Sequence, residues 1–283
     1  MQKKLSSSTE LESTPPVVQF KVLVIGETCV DRYVYGECSR ISPEAPIPVM
    51  EYIETKETEG MAWNVRNNLL SFGCDVYIMT NELKPIKTRY VDKRSNQQLM
   101  RLDENDEVAD FGWELPVDDY PSSYTKANYH ANPLGQPFDA LVISDYDKGY
   151  LSEEKIFELV EWFDGPVFID SKKTKLPKKD CFIKINNTEH KKLKGRYKNL
   201  IVTHGSRGAI YKDIHYMGFK VPTFDVSGAG DTFLAALTYH YLNTLSMEEA
   251  IPYANKAASI AVEHPGTYIL TKEDVNEIQN LCN

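Results

Sequence analysis

Hydrophobic positions along this chain change period several times, and the changes divide it into strands and helices. Lys21–Gly26 is a largely apolar run closed by glycine, the pattern of a strand buried on both faces of a parallel sheet. Tyr33–Gly36 and Ile47–Ile53 alternate apolar and polar residues, with Pro43, Pro46 and Pro48 in or near their connection. That predicts exposed strands of a small accessory sheet. Ala62–Phe72 has helical spacing and stops at Gly73. Lys87–Lys93 and Gln97–Asp103 read as a hairpin around Arg94–Asn96, so a β lid is expected near residues 33–54 and 87–103. The polar, aromatic stretch Asp118–Asn132 has no period that assigns it.

From Ala140 onward strands and helices alternate. Ala140–Ser144 reads as a strand and Ser152–Phe163 as a helix, with Ser152 as N-cap and Glu153 and Glu154 in the first turn. Val167–Asp170, Cys181–Ile185 and Leu200–Thr203 are further strands, with a short helix Thr188–Leu193 before the last. Ala209–Lys212 returns as a strand after the turn His204–Gly208, and Gly230–Leu242, Met247–Glu263 and Lys272–Leu281 are helices. Such alternation predicts an α/β fold: a mostly parallel sheet covered by helices on both faces, with a small β lid.

Composition narrows the class. A chain of 283 residues with 42% hydrophobic content can bury one large core. Its net charge of −9, with no basic run beyond a few residues, argues against a general nucleic-acid binder. Lys172–Lys179 is the most basic region and reads as a solvated loop. Cys29, Cys38, Cys74, Cys181 and Cys282 form no C-x-x-C pair, as expected of thiols in a reducing cytosol. Residues 1–18 are polar and Ser/Thr/Pro-rich, which predicts a disordered arm ahead of one domain over 19–283. No segment reaches the length of a membrane span, so a cytoplasmic protein with no membrane partner is expected. The chain has no internal repeat, no second catalytic domain and no nucleotidyltransferase H-x-G-H.

The richest chemistry lies in Asp225–Phe233, DVSGAGDTF, which runs straight into an apolar helix. Its glycines permit a tight turn that aims successive N–H groups at one point, and the helix adds the positive end of its dipole. Asp231 sits on the lip of this anion cradle, where a carboxylate is out of place unless it takes a proton from something. A phosphate in the cradle and a hydroxyl deprotonated by Asp231 amount to phosphoryl transfer to an alcohol. The plainer alternative is a glycine-rich loop with Asp231 capping a helix.

DVSGAGDTF resembles the C-terminal signature of the PfkB/ribokinase family of sugar kinases, D-[TV]-[TS]-G-A-G-D-[TAS]-F. The opening VLVIGETCVDRYVYGECSRISPEAPIPV (Val22–Val49), NQQLMRLD (Asn96–Asp103) and ISDYDKGYL (Ile143–Leu151) resemble family members that phosphorylate D-glycero-β-D-manno-heptose 7-phosphate at its anomeric hydroxyl. The resemblance extends from about Val22 to Thr271 and implies a ribokinase-like three-layer αβα sandwich, with ATP and Mg²⁺ as cofactors. It makes Asp231 the catalytic base and Gly228, Ala229 and Gly230 the anion hole. The kinase of another sugar or sugar phosphate, and a non-catalytic sugar- or nucleotide-binding homologue, are the alternative functions.

Other candidates follow. Asp31 lies a few residues beyond the first strand, at the carboxyl edge where open α/β sheets bind ligands, and matches the family's sugar-binding Asp; pairing with Arg32 or Arg40 is its other use. Gly60-Met61-Ala62-Trp63-Asn64 stands where the family has G-G-A-A-N, so Gly60 and Asn64 are expected to contact the sugar, while Met61 and Trp63 depart from the pattern. Asn186-Asn187-Thr188-Glu189 resembles the N-x-x-E element, in which Asn186 and Glu189 hold Mg²⁺ through waters; a helix capping box is the alternative. Thr203, Gly205 and Gly208 resemble the nucleotide loop T-x-G-x-x-G, and Asn255 matches an Asn near the adenine, or else is a helix-packing contact. Asp145 and Lys148 follow a strand on the same edge. Lys148, with Arg40 and Arg101, is a candidate for the phosphate of a sugar phosphate, or else a solvated lysine. Asp225 and Gly266 match positions near the family's monovalent-cation site, so K⁺ is a candidate ion at Asp225. The resembled kinases carry an extra helix and strand where only Thr80–Ile86 remain here. That leaves the sugar side open, or covered by Phe111–Tyr129 or a partner subunit, and the lid edges suit pairing into a homodimer.

Overall fold

The computed structural model describes residues 19–112, 138–178 and 181–280. The expected arm 1–18, Asp118–Asn132, most of Phe111–Tyr129 and Cys282 lie outside them. A sheet of eight strands has the order β12-β11-β10-β9-β8-β7-β1-β4. It comprises β1 (Lys21–Gly26), β4 (Asp75–Met79), β7 (Ala140–Asp145), β8 (Val167–Ser171), β9 (Cys181–Asn186), β10 (Leu200–Thr203), β11 (Gly208–Tyr211) and β12 (Ile214–Met217). From β4 through β10 all pairings are parallel, and β11 and β12 close one edge antiparallel.

Alternate residues of β1 explain the two cores. Val22 and Val24 pack against α1 (Ala62–Ser71), α4 (Ala229–Thr244), α5 (Met247–Ala261) and α6 (Lys272–Asn280). Leu23 and Ile25 pack on the other face with α2 (Glu153–Trp162) and Phe111. Ser152 caps α2 by accepting from the Lys155 N–H, as its sequence predicts. The αβα sandwich is therefore the observed architecture. Among the described residues no helix is long and apolar enough to cross a membrane.

The lid is a four-stranded sheet of order β3-β2-β5-β6, from β2 (Thr28–Ile41), β3 (Pro48–Met61), β5 (Ile86–Asp92) and β6 (Gln97–Glu104). Its first two strands are longer than their alternation predicts. β2 and β3 run 14 residues each, from just past the carboxyl end of β1 to the far tip and back. β2 has two partners, β3 antiparallel along its length and β5 parallel from Val30 to Gly36, while β3 is an edge strand held by β2 alone. Asp31 thus lies inside a lid strand at its base, and not in a turn after β1.

Candidate active site

The loop into α4 sets the site's geometry. Gly228 holds φ +76°, a left-handed conformation, and a Cβ there would approach Asn64 Nδ2 to 2.6 Å, so glycine meets both the backbone and the space requirement. Asp231 follows in the first helical turn with 2% of its surface exposed. Its Oδ1 accepts from the Tyr146 hydroxyl at 2.6 Å and its Oδ2 from Asn64 Nδ2 at 3.3 Å. Asn64 also donates to Gly228 O at 3.2 Å, and its own Oδ1 accepts from Asn68 Nδ2 at 3.0 Å. Burial pushes Asp231 up to about 6, with Asp170 adding to the rise; Tyr146, Lys184 and Asn64 hold it back.

Beside Asp231 stands a second carboxylate centre. Asp31 Oδ1 accepts from Arg89 Nη1 at 2.5 Å, and its Oδ2 from the Thr267 hydroxyl at 3.0 Å. A side chain at Gly60 would collide with Asp31 Oδ2, so this close approach admits only hydrogen. Asp31 therefore pairs with Arg89, on the neighbouring strand, and with neither Arg32 nor Arg40. Gly60, Asn64, Asp31 and Asp231 come together. Met61, in the place of the family's second glycine, keeps a positive φ of 60° despite its side chain.

On the other side of Gly230 opens a cavity of about 430 Å³, lined among others by Asn186, Thr203, Gly205, Gly208, Ala229, Gly230 and Asn255. The structure thus gathers five of the predicted nucleotide residues with two members of the anion loop. Gly228 does not line it and faces Asn64 and Thr267 on the acceptor side. Lys184 also lines the cavity, and its Nζ lies within 2.9 Å of where a side chain on Gly230 would begin. This buried lysine is anchored by Asp170 Oδ2 at 2.5 Å, and its ammonium is held charged. Asn255 lines the cavity too, while its amide holds Tyr216 O and Met217 O at 3.1 and 3.3 Å.

Asn186 and Glu189 form a complete capping box for α3 (Asn187–His190). Asn186 Oδ1 accepts from the Thr188 and Glu189 N–H groups at 2.8 and 2.9 Å, and Glu189 Oε2 accepts from Asn186 N at 2.8 Å. Asn187 and Thr188 serve this turn and do not line the cavity. Burial and then Asp170 push the Glu189 carboxyl up, a strain that a nearby cation relieves. Among the described residues no three His, Cys, Asp or Glu side chains converge on one metal position. The donors present fit a hydrated Mg²⁺ held by Glu189 and a polyphosphate, and not a caged ion. Asp225 spends both oxygens on backbone: Oδ1 accepts from Ser227 N at 2.9 Å and Oδ2 from Gly266 N at 3.0 Å.

Three expectations are corrected. Asp145 is not open to a sugar: its Oδ2 accepts from the Ser171 hydroxyl and its Oδ1 from Asp147 N at 3.1 Å, while burial and Glu27 raise it to about 6. Lys148 is ion-paired with Asp106, and Arg101 grips both oxygens of Asp103 at 2.6 and 2.5 Å. Arg40 is exposed nine residues beyond Asp31 along β2, roughly 30 Å at the usual strand rise. The Arg40–Lys148–Arg101 cluster does not form within the chain.

Sequence reasoning missed Tyr146, Lys184, Arg89, Thr267, Asp170 and Glu27. Two left a trace: Lys184 is a charge inside the apolar run Cys181–Ile185, and Tyr146 lies inside ISDYDKGYL. Glu27 grips the Tyr146 and Lys148 N–H groups at 2.6 and 3.0 Å and so aims that loop.

Residues 183–274 match the pfkB family carbohydrate kinase. The bifunctional protein HldE of a Nitratiruptor species is 28% identical over 312 residues, covering 92% of this chain and 65% of that protein. That of Haemophilus influenzae (strain PittEE) is 29% identical over 302 residues, covering 88% and 61%. This chain therefore spans less than two thirds of these relatives. Among solved structures, ribokinase from Thermotoga maritima superposes with a TM-score of 0.63 at 17% identity, over 92% of this chain and 99% of that one. Phosphofructokinase-2 from Escherichia coli in complex with potassium gives 0.65 at 16%, over 94% and 99%. The chain has a ribokinase-like fold, and its residues 183–274 carry the likeness to pfkB family carbohydrate kinases.

Proposed function

We propose that this kinase transfers the γ-phosphoryl group of ATP to the anomeric hydroxyl of D-glycero-β-D-manno-heptose 7-phosphate. The observation that carries the reading is the place of Asp231: buried, raised to about 6, and set between the cavity lined by Gly230 and the cluster of Asp31, Gly60 and Asn64. The substrate follows from the resemblance at Val22–Val49, Asn96–Asp103 and Ile143–Leu151.

In this reading Asp31, Gly60 and Asn64 orient the sugar. Asp231 accepts the proton of the attacking hydroxyl, whose oxygen bonds to the γ-phosphorus as the bond to ADP breaks. Proton acceptance of this kind typically contributes about 10²–10⁴-fold. Ala229 and Gly230 present N–H groups to the phosphoryl oxygens; losing one such donor typically costs about 3–4 kcal/mol. Lys184 adds a fixed positive charge at the same point. Thr203, Gly205, Gly208 and Asn255 hold the nucleotide. Glu189 would hold a hydrated Mg²⁺, which would supply charge neutralisation on the phosphates.

A kinase of another sugar or sugar phosphate is the second reading, favoured by Met61 at the pocket's close-approach position. A non-catalytic homologue has no use for a buried base. The edge strand β6, exposed along its whole length, is where a second copy would pair, Asp225 is the candidate K⁺ position, and the cytoplasm is the expected compartment. An ADP-release assay over phosphorylated and neutral sugars tests the assignment. Turnover of heptose 7-phosphate at least about a hundredfold more efficient than of the neutral heptose is expected. Equal rates on both would promote the neutral-sugar reading.

A further inference from the structure

Two ammonium groups converge on Tyr146, and among the described residues no carboxylate lies within ion-pair distance of either. Lys87, on β5 of the lid, lies 5.4 Å from the ring centroid, and Lys172, in the loop after β8, lies 4.1 Å from it. The acids close by are already engaged: Asp103, opposite Lys87 in the β5–β6 ladder, is held by Arg101, and Asp106 by Lys148. Burial, then Lys87 and further off Lys148, push Lys172 below the ordinary lysine range, against the pull of Glu189 and Asp170. A fold that brings like charges together without a counter-ion is less stable for it, and a bound anion reverses that penalty.

The position identifies the anion. Lys87 is the direct ladder partner of Asp31, so the two side chains share the lid face that carries the acceptor cluster. Tyr146, whose ring both lysines approach, reaches Asp231 with its hydroxyl. Neither lysine lines the nucleotide cavity, which has its own cation in Lys184. We propose that Lys87 and Lys172 form the receptor for a phosphate carried by the acceptor itself, remote from the hydroxyl that reacts. The inference rests on the sugar-phosphate reading above and replaces Arg40, Lys148 and Arg101 as the residues that recognise the phosphate. A dianion between a lid lysine and a body lysine also ties the two layers together over the reacting centre.

The test uses Lys87→Met, Lys172→Met and the double variant, which keep the apolar stems, with Lys87→Arg and Lys172→Arg as charge-retaining controls. Heptose 7-phosphate and unphosphorylated heptose are compared by initial rates, and by calorimetric binding without nucleotide. Each Met variant is expected to lose at least about tenfold of the preference for the phosphorylated sugar, with KM for ATP within about twofold of wild type. The Arg variants should recover most of it, and Arg40→Ala should leave it intact. Preference retained in the double Met variant overturns the inference while leaving the sugar-phosphate reading standing. So does a rise in KM for ATP at unchanged preference, which would assign the lysines to the nucleotide. No preference in the wild-type enzyme, by rate or by binding, removes the reading and the inference together.

Discussion

At the residue scale, Asp231 meets two conflicting demands: burial favours its neutral form, and the proton acceptance proposed for it needs the charged one. Its folded pKa of about 6 stands above the usual 3.8, so the folded state binds more protons between those values. Stability therefore falls as pH rises from about 4 to 6, and above that the buried charge costs on the order of 3 kcal/mol. Asp231→Asn is expected to melt higher than wild type at pH 8, with the gain gone at pH 4, while kcat drops at least about a hundredfold. Calorimetry and steady-state kinetics check the two halves, and a variant retaining over about a tenth of wild-type kcat would exclude Asp231 as the base. Because the base must be ionised, the rate should fall as pH falls through about 6. Tyr146→Phe removes a donation that lowers the Asp231 pKa, so this acid limb should move to higher pH; a pH–rate profile decides it. The place of Asp231 in the first turn of α4 was legible from DVSGAGDTF. Tyr146 was not, because 85 residues separate it from Asp231 and only the sheet brings them together.

At the scale of elements, the Asn186–Glu189 turn is a helix cap that leaves one carboxylate oxygen for the Mg²⁺ proposed there. Its capping box is complete, yet Glu189 keeps Oε1 outside the box, and burial and then Asp170 raise its carboxyl. Glu189→Gln retains an oxygen for the Asn186 N–H, so α3 should persist. The Mg²⁺ needed for half-maximal rate should rise more than KM for the sugar; an unchanged Mg²⁺ demand would leave the turn as a cap only. The β3–α1 junction holds a second tension. Met61 is buried, but its φ of 60° belongs to the glycine of the resembled motif. Such strain costs about 1–3 kcal/mol, against about 2–5 kcal/mol for truncating a buried methionine. Met61→Gly is therefore expected to lose less than about 2 kcal/mol in urea unfolding, well short of an ordinary core truncation.

At the scale of the molecule, lid and body meet at Asp31. Arg89 holds it from within the lid, and Thr267, from the segment after α5, holds it from the body. Thr267→Val cuts the link to the body without emptying space. KM for the acceptor should rise severalfold, with KM for ATP unchanged, because the cavity proposed for the nucleotide does not include Thr267.

What the sequence determined by itself was everything set by local period and local backbone chemistry. The apolar run of β1, the capped α2, the β5–β6 hairpin and the glycine cradle before α4 all stand where the pattern places them. These features depend on residues within a few positions of one another. The length of β2 and β3 was hidden, since it depends on partners supplied by distant segments. Charge pairing was hidden for the same reason. Arg40 was expected at the phosphate while Lys87 was read only as part of a strand, and the bonds of Asp145 and Lys148 to Ser171 and Asp106 are invisible in one dimension. Only the tertiary structure decides which ions neutralise each other and which remain for a ligand, because Coulomb energy depends on distance through space and not along the chain.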